Sequence, residues 1–214
     1  MSKLQSVSQW PRAEQPGTRL YDVGPAAMSD AELLSLYLRP HAARTQVETA
    51  RMLVADAGSL SALLSESDVP QLRAILELAK RCLSEQLSAG SALSSPAAVR
   101  DYLRLTFAGR EHEVFVVLYL DAQHRVIGTD ELFRGTLTQT SVYPREVVKA
   151  ALRSNAAAVI FAHNHPSGVA EPSQADELLT CTLKGALALV DIKVLDHFIV
   201  AGNRTLSFAE RGLL

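Results

Sequence analysis

The sequence predicts a layered α/β (α+β) protein, with a small all-helical N-terminal domain over residues 1–90 and a strand-and-helix domain over residues 92–214. Three observations carry that expectation. Apolar residues in the first half recur every three or four positions, the spacing of a helix face. The second half places β-branched and aromatic runs such as Val114-Phe-Val-Val-Leu-Tyr-Leu120 between helical patterns, and that alternation belongs to layered domains. Between the halves, Ser88-Ala-Gly-Ser-Ala-Leu-Ser-Ser-Pro96 is small and polar, the composition of a linker.

Each element has its own reason. Ser29 followed by Glu32 forms the pattern of a capping box, with Leu33, Leu34 and Leu38 behind it. Pro40 is the expected stop of that helix, because it lacks an amide proton and clashes with the preceding turn. Thr45 to Ala57 repeats apolar residues at helical spacing, Ser59 to Ser65 fits a short helix, and Leu72, Ile75, Leu76, Ala79 and Leu83 mark a long one over 69–87. Pro96 opens a helix to Phe107. Glu113 to Leu120 reads as a central strand, and Arg125 to Thr138 as one or two more, broken near Gly135. Pro144 to Arg153 is a helix, and Ala157 to Ala162 a buried strand. Ser173 to Val190 is a long helix, and Ile192 to Ala201 the final strand.

Bulk composition excludes little but excludes it clearly. The net charge is −2 over 214 residues; residues 1–95 hold 9 basic and 10 acidic side chains, and residues 96–214 hold 12 and 13. Neither part has the basic surplus of a phosphate-binding module, so nucleic acid is a partner that charge does not support. No apolar stretch is long enough to span a bilayer, and the N-terminus shows no leader pattern. Two cysteines, Cys82 and Cys181, stand far apart without ligand-spaced companions. They read as buried small apolar residues, and such low cysteine usage suits a cytoplasmic setting.

The most informative stretch is Phe161-Ala-His-Asn-His-Pro-Ser-Gly-Val-Ala-Glu-Pro-Ser-Gln-Ala-Asp176. His163 and His165 are two apart at a strand end, so their rings face the same side of an extended chain. Pro166-Ser-Gly168 turns the chain. Ser173 is a natural N-cap of the next helix, and Asp176 falls at its third position. There the carboxylate can return to the helix start or turn outward to a cation. Two imidazoles and a carboxylate are the ligand set of a catalytic zinc site, which keeps a fourth position open. Each piece alone also has a structural explanation, since Ser173 and Asp176 fit a capping box.

His163-x-His165, seven residues, Ser173, two residues, Asp176 resembles the JAMM (MPN+) zinc metalloprotease motif. The wider His-Asn-His-Pro-Ser-Gly run, with Pro144-Arg-Glu146 before it and Asp196-His-Phe-Ile-Val200 after, resembles the bacterial RadC branch of that family. A weaker resemblance extends over residues 10–87 through Met28-Ser-Asp-Ala-Glu-Leu-Leu34. The resemblance implies a JAMM/MPN-like mixed β-sheet flanked by helices. It also implies one Zn²⁺ per chain held by His163, His165 and Asp176, and hydrolysis of a peptide or isopeptide bond. The family's general base is a Glu heading the first strand, which here matches Glu113, with Glu111 and Glu131 as rivals. Ser173 matches the serine that stabilises the oxyanion. Capping uses only its oxygen as acceptor, which would leave the hydroxyl proton free for that duty.

His197 is expected to support the site from behind rather than complete it, because a catalytic zinc keeps one position free. His41, His112 and His124 have no partner pattern, and an HNH nuclease would spread its residues through a ββα element. RadC-type N-terminal parts carry a glycine-rich helix-hairpin-helix turn that grips DNA. The matching interval here, Ser65-Glu-Ser-Asp-Val-Pro-Gln-Leu72, has no glycine and two acids, so it lacks the positive-φ amides that cradle phosphate. Two further readings compete with the metallohydrolase. One is a DNA-associated protein, a repair or recombination accessory whose metal is structural or serves phosphodiester hydrolysis. The other is an inactive scaffold.

Overall fold

The chain divides into two units, Met1–Leu78 and Ala79–Leu214, and among the described residues the elements of the first are helical. The computed structural model describes residues 7–39, 44–66, 68–92, 96–135 and 142–214. Helices α1 (Pro16–Asp22), α2 (Asp30–Ser35), α3 (Gln46–Ala57) and α4 (Leu60–Glu66) precede α5 (Pro70–Ala89), whose first part belongs to this unit. The expected box at α2 is formed: the Glu32 amide donates to Ser29 Oγ at 3.3 Å, and the Ser29 amide donates to Glu32 Oε2 at 2.9 Å. Thr45 and Glu48 build a second box at α3, which then ends on Gly58 at φ 72°. Ala31, Leu34, Leu38, Val47, Ala50, Leu63 and Leu72 form the core.

Helix α2 stops at Ser35, short of the expected end at Pro40, which with His41 lies outside the described residues. Helix α1 was not expected, because it offers almost no apolar face; its Tyr21 is exposed. Only Ser67, Asp68 and Val69 separate α4 from α5, and Ser67 is outside the described residues. Among the described residues from 60 to 72 none has positive φ. The described residues of this turn therefore offer no left-handed position of the kind that a phosphate-gripping hairpin needs.

The second unit is a five-stranded mixed sheet between helical layers. Its strands are β1 (Val114–Leu120), β2 (Val126–Arg134), β3 (Ala158–Asn164), β4 (Lys193–Ala201) and β5 (Arg204–Ser207), in the order β2-β1-β3-β4-β5. Among the described residues, only β3 and β4 pair in parallel, joined through α8 (Gln174–Ala188). Every residue of β1 and β3 is buried, as expected of strands covered on both faces. One face packs Val114, Val116, Leu118, Ile160 and Ala162 against α6 (Pro96–Phe107) through Val99 and Leu103. The other packs Phe115, Val117, Val159 and Phe161 against α7 (Pro144–Arg153) and α8 through Val147, Leu183 and Leu187.

Two expectations are corrected. Cys82 and Cys181 are exposed, not buried. Helix α8 buries Asp176, Thr180, Leu183 and Leu187, and Cys181 stands about 100° around the helix from Thr180, on the solvent side. Strand β4 is not the last: Gly202-Asn203 reverses the chain into β5, with Ala201 paired to Arg204, and a short helix α9 (Phe208–Arg211) follows. Glycine at φ 58° makes that two-residue reversal possible. The stretch expected as strand from Arg125 to Thr138 is one strand ending at Arg134, and residues 136–141 lie outside the described set. Among the described residues, no helix is long and apolar enough to cross a membrane.

Candidate metal centre

Strand register brings the site together before any side chain is considered. Strand β1 runs antiparallel to β3, with Phe115 opposite His163, so the head of β1 lies beside the carboxyl end of β3. Phe161 and His163 share the face that packs against α8, because they are two apart. The chain then passes through Pro166-Ser-Gly168, where Gly168 sits at φ 80°, and returns to the start of α8. Glu113, His163, His165 and Asp176 are thereby gathered, with one ligand atom from each lying within 4.8 Å of the others.

The distances describe a convergent donor set. His163 Nε2 is 2.9 Å from His165 Nε2 and 3.2 Å from Asp176 Oδ1, and His165 Nε2 is 3.6 Å from Asp176 Oδ2. Glu113 Oε1 stands off at 4.0 Å from His163 Nε2. His163 is buried, whereas His165 and Glu113 are partly exposed, so the cluster opens to solvent on their side. His165 Nδ1 lies 2.8 Å from the carbonyl of Val169 and can only donate to it, so in the neutral ring the lone pair is on Nε2. Three lone-pair atoms aimed at one point can hold a divalent cation.

Charge follows geometry. Burial pushes the Asp176 carboxyl upward, but its contacts with His163 and His165, and with Ser173, outweigh burial and hold it far below the usual carboxylate range. The bond with Asp176 raises His165 above the ordinary histidine value, against an opposing effect of burial, with the Val169 carbonyl helping.

Asp176 both returns to the helix start and faces the cluster. Its Oδ2 accepts from the Ser173 amide at 2.7 Å, closing the capping box, while Oδ1 turns to His163. Ser173 differs from expectation in one respect. Its hydroxyl accepts from the Asp176 amide at 3.2 Å and also donates to Asp176 Oδ2 at 2.7 Å, so its proton is engaged rather than free. An ionised carboxylate cannot donate, which fixes that direction.

The rival carboxylates fall elsewhere. Glu131 pairs with Arg110 at 2.9 Å and Arg134 at 3.1 Å, and Glu111 is exposed outside the cluster. His112 and His124 do not join it either.

Two contributors were missed by reading the sequence alone. Asn164 Oδ1 accepts the Val114 amide at 2.8 Å, and its Nδ2 donates to the His112 carbonyl at 3.0 Å. Asn164 thus clamps the backbone on both sides of Glu113. The signal available was its place between two histidines at a strand end. Replacing Asn164 with Leu strands a buried amide and a carbonyl, and is expected to destabilise the domain by about 1–3 kcal/mol in urea unfolding. A change below a few tenths of a kcal/mol would show that the clamp is dispensable. The other contributor is Thr180, which bonds to His197 at 2.6 Å behind the cluster.

A mixed five-stranded sheet with a His/Asp/Glu cluster where β3 meets α8 defines a domain of the JAB (MPN) class. The family model of the RadC-like JAB domain matches residues 93–213, and that of the UPF0758 N-terminal region matches residues 7–82. Full-length relatives agree. A UPF0758 protein of Nitrosomonas eutropha is 55% identical over 223 residues, covering 98% of this chain and 100% of its own. One of Nitrosospira multiformis is 55% identical over 223 residues and one of Dechloromonas aromatica 56% over 226, each with the same coverage. The chain belongs to the RadC family, with a RadC-like JAB domain behind a UPF0758-type helical region.

Proposed function

We propose that the protein is a zinc-dependent metallohydrolase of the JAMM type, which directs water onto a peptide or isopeptide bond of a peptide or protein substrate. The observation that carries this reading is the convergence of His163, His165 and Asp176, with Glu113 standing just beyond them. Two zinc–ligand bonds of about 2.0–2.1 Å at a tetrahedral angle place their ligand atoms about 3.3 Å apart. The 2.9 Å between the two Nε2 atoms, the 3.2 Å from His163 Nε2 to Asp176 Oδ1 and the 3.6 Å from His165 Nε2 to Asp176 Oδ2 fall on both sides of that value, which supports this ligand set for the ion.

Zinc, when bound, polarises the substrate carbonyl and lowers the pKa of water to about 7. The chain's residues do the rest. Glu113 takes the proton from the attacking water and delivers it to the leaving amine, and its carboxylate lies on the open side where water reaches it. Ser173 holds the Asp176 carboxylate in place, and it serves the oxyanion only by releasing that bond. Asn164 fixes the backbone on both sides of Glu113. The balanced charge of both parts of the chain supports a protein rather than a nucleic-acid substrate, and no observation favours phosphodiester chemistry. Two cysteines left free suit a cytoplasmic setting.

The test is the metal content of the purified protein together with its hydrolysis of peptide and isopeptide-linked substrates. Zinc at about one per chain with metal-dependent cleavage supports the reading; absence of any divalent metal affinity rejects it. A pH dependence follows as well. His165 is raised above its ordinary 6.5, so in the metal-free site it keeps a proton to higher pH than a free histidine. That raised value stabilises the metal-free fold below pH about 6.5, and the gain is lost as pH climbs through it. Zinc must expel this proton. Its apparent affinity is therefore expected to fall about tenfold per pH unit below the raised value, in titrations against a chelator.

A further inference from the structure

Behind His163 runs a buried chain of hydrogen bonds that crosses three elements. His163 Nδ1 lies 2.8 Å from His197 Nε2 on β4. His197 Nδ1 lies 2.6 Å from Thr180 Oγ1 on α8, and Thr180 Oγ1 lies 2.6 Å from the carbonyl oxygen of Asp176. His197 and Thr180 are shielded from water at 0% and 1% exposure, and Phe115, Phe161 and Phe208 surround the His197 ring.

Counting protons along the chain leaves one arrangement. A carbonyl only accepts, so the single Thr180 proton goes to Asp176. Thr180 Oγ1 must then accept from His197 Nδ1–H. The His197 ring is fully buried among Phe115, Phe161 and Phe208, a setting that favours an uncharged imidazole, and an uncharged ring with its proton on Nδ1 has a bare Nε2. His197 Nε2 therefore accepts, and His163 Nδ1 carries the proton that it receives. Whenever the His163 ring holds a single proton, its lone pair is then on Nε2, the atom that faces His165 and Asp176.

We propose that His197 and Thr180 are positioning residues that lock His163 in the Nδ1–H tautomer, so that its Nε2 reaches the site as a bare metal-binding nitrogen. The inference rests on the metal-site reading for its purpose, though not for its geometry. The chain begins at one candidate ligand and ends on the backbone of another, so it also ties β3 to the first turn of α8. Without the Thr180 hydroxyl, His197 loses its acceptor at Nδ1 and is free to carry its proton on Nε2. It then donates to His163 Nδ1, and His163 must carry its own proton on Nε2, where it blocks a metal.

The experiment uses the full-length chain with ¹⁵N-labelled histidine, metal-free, and reads ring tautomers from two-bond proton–nitrogen correlations. Wild type is expected to show His163 protonated at Nδ1 and His197 also at Nδ1. Thr180→Val, close in size but lacking the hydroxyl, is expected to shift His163 toward Nε2–H. Zinc affinity by chelator competition should weaken about 10- to 100-fold in that variant and recover in Thr180→Ser. His163 protonated at Nε2 in wild type overturns the proposal with no variant needed, as does wild-type zinc affinity in Thr180→Val. If the tautomers are as expected but wild type takes up no metal, the metal-site reading fails while the tautomer lock stands.

Discussion

His163→Ala is expected to empty the site of zinc, from about one per chain to near zero by elemental analysis, since a three-ligand centre does not survive on two. The side chain is buried and takes part in both the cluster and the bond to His197, so its removal also leaves His197 Nε2 without its partner. A stability loss of about 1–3 kcal/mol should accompany the loss of metal. Two companion variants separate the effects. His165 lies at the half-open side, and His165→Ala removes a donor with less disturbance of the core. Asp176→Ala removes a donor and also the capping acceptor of the Ser173 amide, which adds about 1 kcal/mol at the start of α8. Asp176→Asn keeps an oxygen for the cap while removing the charge, and should regain most of that stability without regaining zinc. Unchanged metal content in both His163→Ala and Asp176→Ala would reject the centre.

Much of this architecture is legible residue by residue, and the rest is lost for definable reasons. Helix starts announce themselves locally: Pro96 and Pro144 open α6 and α7 where expected, and Ser29 caps α2 through Glu32. The apolar run of β1 leaves no choice but a buried strand. The grouping of His163, His165 and Asp176 is legible because two local rules suffice, period two along a strand and the third position of a helix. What escaped depends on register between distant segments. Nothing within the chain near Thr180 says that it faces His197, seventeen residues on; that meeting needs the parallel pairing of β3 with β4 and the packing of α8 across them. Asn164 stands between two histidines in the sequence, but its clamp on the backbone at the head of β1 exists only through the antiparallel register. Cys181 illustrates the opposite error, in which residue type was weighed above helical phase. The Ser173 proton was misplaced because capping was treated as acceptance alone, whereas a carboxylate at the third helical position also draws the hydroxyl's hydrogen.

Glu113→Gln separates holding the ion from using it. Gln keeps the size and the hydrogen-bonding reach of the side chain but cannot take up a proton at neutral pH. Hydrolysis is expected to fall by about 10²–10⁴-fold, the usual worth of a positioned general base. Zinc content should be unchanged, because Glu113 Oε1 stands 4.0 Å from His163 Nε2, farther than the spacing among the three proposed ligands. Folding should also hold, since the backbone around Glu113 is fixed by Asn164 and by the Gly135 amide donating to the Glu113 carbonyl at 2.7 Å, neither of which uses the carboxylate. The two readouts together discriminate three roles. Lost activity with retained zinc makes Glu113 the base. Zinc lost with activity makes it a fourth ligand, and the site then has no open position for catalysis. Full activity with full zinc moves proton transfer to another group. Glu111→Gln and Glu131→Gln run in parallel close that last route: Glu131 is held between two arginines and Glu111 lies outside the cluster, so both variants are expected to turn over like wild type.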